Sequence, residues 1–124
     1  LAAGSLGVML LDPLALTVGA SGAVFGLMGA TLVHQLRRGI NPWSSGVGGL
    51  VVINLIFTVS RPGISLGGHL GGLIGGAVVA WMIDEADRRG APRSVGSALT
   101  VVSAAVFGAA AIWAAGNWPD PLLG

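Results

Sequence analysis

The chain has 124 residues, of which 53% are hydrophobic and 9% charged, with six basic residues against five acidic ones and a mean hydropathy of +0.84. A soluble domain carries about a quarter charged residues, so this composition points to a membrane protein. With no cysteine, disulfides and thiolate metal sites are excluded, and six scattered arginines make no nucleic-acid surface.

Residues 1–11 are apolar and too short to span a bilayer, and read as the end of a helix. Asp12-Pro13 stops it, because proline lacks an N–H and restricts the residue before it. Leu14 to Thr17 is a short connection. Residues 18–38 form an uncharged apolar run closed by Arg37 and Arg38, which reads as a membrane helix with a basic end. Gly39 to Trp43 is a turn, and Trp43 suits the lipid–water boundary. Residues 46–60 make a short span, with Asn54 expected to hydrogen-bond across to another helix. Residues 64–84 make a further span, followed by a polar connector from Asp84 to Arg93. Residues 95–115 are the last span, with Trp113 and Trp118 as interface anchors. The expected fold is therefore all-α, a polytopic bundle of membrane helices in one domain.

The arginines give the orientation. Arg37, Arg38, Arg88, Arg89 and Arg93 cluster after the first and third full spans, while the connection between the second and third carries only Arg61. The positive-inside rule places the arginine-rich ends in the cytoplasm. His34 is then an interface residue at that end.

Two polar residues stand out against this background. Ser21 lies near the start of the first full span, and His69 near the start of the third. Both fall ~23–28 Å from the cytoplasmic boundary at about 1.5 Å per residue, just beneath the outer face. An ionisable residue inside a span marks function by default. Glycines surround both: Gly22 and Gly26 on one span, and Gly68, Gly72 and Gly76 on the other, beside Gly67, Gly71 and Gly75. Small residues let membrane helices approach closely. A serine can then reach an imidazole, and proton transfer needs about 2.6–3.2 Å.

Gly19-Ala20-Ser21-Gly22 resembles the G-x-S-G motif of the rhomboid intramembrane serine proteases, and His69 with Gly72 and Gly76 fits that family's H-x-x-G-x-x-x-G pattern two helices later. The resemblance implies a Ser21 nucleophile and a His69 general base without an aspartate. It further implies an oxyanion donor at the Ser21 backbone N–H within the Gly19–Gly22 motif, and glycine packing through Gly26, Gly72 and Gly76. Residues 1–11 would be the end of the third helix of a six-helix core. The next three spans would be the fourth to sixth helices, and residues 95–115 an added seventh. The region around Val51–Val59 resembles a substrate gate and residues 61–67 its cap. The implied activity is cleavage of transmembrane-anchored proteins near the outer face, without cofactor or metal. The implied partners are those substrates and the bilayer, with no nucleic acid, and the implied location is a multi-pass protein of the plasma (inner) membrane.

The family's second helix, which supplies side chains to the oxyanion hole, has no counterpart in these residues. The sequence is therefore expected to be a C-terminal portion, inactive by itself. The competing reading is a catalytically inactive relative that binds membrane proteins through the same groove. The sequence specifies neither a substrate nor an oligomeric state.

Overall fold

The computed structural model describes residues 1–11 and 20–117. Among the described residues there are five helices: α1 (Ala2–Leu11), α2 (Ser21–Arg37), α3 (Val47–Ser60), α4 (Leu66–Arg88) and α5 (Arg93–Gly116). No strand occurs among the described residues. The break expected at Asp12–Pro13, the connection to Thr17, Gly19 and the anchor Trp118 lie outside them.

The chain is an all-α membrane bundle. By length and composition α4 and α5 can each cross a bilayer, with mean hydropathies of 1.5 and 2.0 over their most apolar stretches. The outer faces of α3 and α5 are apolar: Ile53, Ile56, Phe57, Val59, Val101 and Val106 are all exposed. In water such contiguous surface is costly; in lipid it is the expected exterior.

Helix α4 is the centre of the bundle, packing on α1, α2, α3 and α5. Its glycines explain how. A methyl group added at Gly72 or Gly76 would overlap the backbone carbonyl of Gly22 or Gly26 on α2. One added at Gly67 or Gly71 would overlap the carbonyl of Gly7 or Ala3 on α1. The two adjacent glycine rows thus serve two different neighbours. The pairings also fix direction. Along α2 and α4 the partners advance together, from Gly22 beside Gly72 to Arg37 beside Glu85, so these helices run parallel. Along α1 and α4 they run in opposite senses, from Gly7 beside Gly67 to Ala3 beside Gly75.

Two expectations are corrected. The segment from Asp84 to Arg88 is the last turn of α4, not a connector. Glu85 anchors this turn from both sides: Arg37 Nη2 donates to Glu85 Oε2 at 2.7 Å, and Arg89 Nε donates to Glu85 Oε1 at 2.9 Å. Gly90, at φ +74°, then ends the helix in a left-handed conformation that suits glycine. Among the described residues Asn54 makes no side-chain bond across helices; its Nδ2 donates to the Leu50 carbonyl one turn back at 2.8 Å. Within an apolar helix its own backbone is the nearest acceptor.

At the arginine-rich end, the half-buried Arg37 joins α2 to α4. Its Nε lies 3.7 Å from Asp84 Oδ2 and has no hydrogen-bond partner among the described residues, and its guanidinium sits 5.8 Å from the centre of the Trp81 ring. Arg88 Nη2 donates to the Arg37 carbonyl at 2.7 Å, and His34 Nδ1 lies 3.6 Å from Asp84 Oδ1.

Candidate active site

At the opposite end from this charged cluster, Ser21 is the first residue of α2, and His69 lies in the first turn of α4. The same interval separates Ser21 from Arg37 and His69 from Glu85. With the helices parallel and Arg37 bonded to Glu85, the serine and histidine therefore stand at one level, ~24 Å from the ion pair.

They also face each other's element. Ser21 and Phe25 are one turn apart and share a face of α2. Phe25, only 3% exposed, stacks on the His69 ring with centroids 4.2 Å apart and planes 17° apart. Because helical side chains lean toward the helix N-terminus, this stack brings the imidazole to the Ser21 end of α2. Ser21 and His69 both line a single cavity of about 530 Å³, together with Gly22, Gly68 and the Gly63–Ser65 loop.

Backbone geometry supports the placement. The two helices approach closely beside the pair: a Cβ at Gly22 would lie 3.2 Å from the Gly68 carbonyl oxygen. Helix α4 starts where it does because Ser65 caps it, its hydroxyl accepting from the Gly68 N–H at 3.0 Å. Helix α2 has no side-chain cap, since Ala20 occupies that position. The Ser21 and Gly22 N–H groups have no carbonyl one turn back within the helix, and they lie at its positive end.

The other side of the imidazole meets α3. His69 Nδ1 lies 2.6 Å from Thr58 Oγ1, and Thr58 is 3% exposed. The same hydroxyl donates to the Asn54 carbonyl at 2.8 Å. Sequence reasoning missed both Thr58 and the role of Phe25. Its only available signals were a threonine inside an otherwise apolar span and an aromatic residue one turn after the serine.

A second hollow, about 570 Å³, lies between α2 and α3 at the arginine-rich end and includes Leu36, Trp43 and Val51; none of its lining residues is titratable. Among the described residues no group of three His, Asp or Glu is placed to hold a metal ion.

The model of the Rhomboid domain family matches residues 1–85, which takes in α1 to α4 with Ser21 and His69. No curated protein and no solved structure matches the chain.

Proposed function

The chain belongs to the rhomboid family, and we propose that it carries the Ser21–His69 dyad of an intramembrane serine endopeptidase acting on transmembrane-anchored proteins near the outer face. The observation that carries this reading is the Phe25–His69 stack, which sets the imidazole on the face of α2 that bears Ser21, in a cavity both residues line.

The chemistry follows from the residues. His69 accepts the Ser21 proton, and Ser21 Oγ attacks the scissile carbonyl to form a tetrahedral oxyanion. The N–H groups at the uncapped start of α2 donate to that oxyanion. His69 then protonates the leaving amine, and a water activated by the same imidazole releases the acyl group. Water reaches the cavity from the outer side, because Ser21 and His69 lie at the helix ends remote from the arginine cluster. A substrate helix enters beside α3, whose outer face is apolar, and the cap is the loop before α4.

Cleavage of a single-span substrate by the full-length protein in liposomes tests this. Wild-type protein is expected to cut near the outer membrane face, and Ser21→Ala to reduce the rate to background with expression and topology intact. Undiminished cleavage by Ser21→Ala would remove Ser21 from its role.

A further inference from the structure

The Thr58 hydroxyl has one proton and two neighbours. Asn54 O is purely an acceptor and lies 2.8 Å away, so the contact needs the hydroxyl proton. His69 Nδ1 lies 2.6 Å from the same oxygen and, with that proton committed, must supply its own. The assignment that keeps both contacts as hydrogen bonds is a chain of donations from Nδ1–H to Thr58 Oγ1, and from Thr58 O–H to the Asn54 carbonyl. A neutral imidazole holds one proton, so Nε2 is then bare.

We propose that Thr58 is a positioning residue, which fixes His69 in the tautomer whose Nε2 is free to take the serine proton. This rests on the dyad reading above and adds a neutral relay where a Ser-His-Asp triad has a carboxylate. The relay also belongs to α3, not to either helix bearing the dyad. Orientation of the base therefore depends on α3 being seated against α4. The burial of Thr58 supports the role: a hydroxyl shielded from water makes its bonds to protein groups, and losing one leaves the partner unpaired.

The experiment compares Thr58→Val, which keeps the shape and removes the hydroxyl, with Thr58→Ser, which keeps the hydroxyl. Full-length protein labelled with 15N-histidine is examined by NMR, and its turnover of a single-span substrate is measured in liposomes. In wild type and Thr58→Ser, His69 is expected to show a protonated Nδ1 and a bare Nε2. In Thr58→Val that signature is lost, and kcat falls on the order of 10²-fold with KM little changed, less than the ~10⁴-fold seen when a charged orienting carboxylate is neutralised. A bare Nδ1 in wild type overturns the proposal, as does a Thr58→Val protein with unchanged tautomer and turnover. Failure of the dyad reading shows separately, as cleavage that survives Ser21→Ala. The NMR signature still decides the proton assignment in that case.

Discussion

Phe25 and His69 lie with their rings stacked 4.2 Å apart, and this contact ties the face of α2 that begins with Ser21 to the first turn of α4. It is an interhelical contact with a directional preference, unlike the glycine contacts around it. Aromatic stacks contribute about 0.5–1.5 kcal/mol beyond area burial. Phe25→Leu is expected to lower kcat about ten-fold, in line with the upper end of that range, with a smaller loss of thermal stability. Parallel turnover and melting measurements on the purified full-length protein check this. A variant with full activity would show that the stack does not hold the base.

The glycine rows make a contrasting pair of predictions. Gly72→Ala and Gly76→Ala place a methyl group into backbone carbonyls of α2, which cannot give way as a side chain tip would. Each is expected to destabilise by about 1–3 kcal/mol, the usual cost of overpacking. Gly49→Ala in α3 and Gly108→Ala in α5 meet nothing within 4 Å and are expected to be neutral or to stabilise by up to ~1 kcal/mol. Thermal denaturation in one detergent reads all four.

The charged end is expected to depend on one arginine. Arg37→Gln removes the guanidinium that joins Asp84 and Glu85 to α2, leaving Asp84 only the 3.6 Å approach of His34, and should lower the melting temperature more than loss of an exposed arginine does. Arg89 is 77% exposed, and Arg89→Gln should cost less than ~0.5 kcal/mol. The same denaturation series, repeated at high salt, should shrink the Arg89 effect more than the Arg37 effect.

Ser65 is expected to matter through the start of α4. Ser65→Ala removes a cap from the Gly68 N–H and should cost about 1 kcal/mol. Because His69 follows within the same turn, hydrogen exchange should rise there before it rises in the middle of α4. Uniform protection across α4 in the variant would count against this.

Much of this arrangement is legible in the sequence, since composition and uncharged runs mark the helices. The repeated glycines mark α4 as a closely packed helix, and Ser21 and His69 stand out by polarity and depth. What the sequence conceals is pairing. Adjacent glycine rows look like one broad face, and only the fold shows that one meets α1 and the other α2. Asp84 and Glu85 read as the start of a loop because their partner Arg37 is distant in the chain. Asn54 reads as an interhelical donor, yet its nearest acceptor is its own helix. Thr58 bonds to the previous turn of its own helix, as a helical threonine commonly does, so nothing in the sequence sets it apart. Its second contact, to His69, depends on how α3 folds back against α4.

The most direct test of the account is labelling of the full-length protein by a serine-reactive fluorophosphonate, with the modified residue located by mass spectrometry. The account predicts an adduct on Ser21 that is lost in Ser21→Ala and strongly reduced in His69→Ala. An unlabelled Ser21 in folded, membrane-inserted protein, or labelling indifferent to His69, would contradict it.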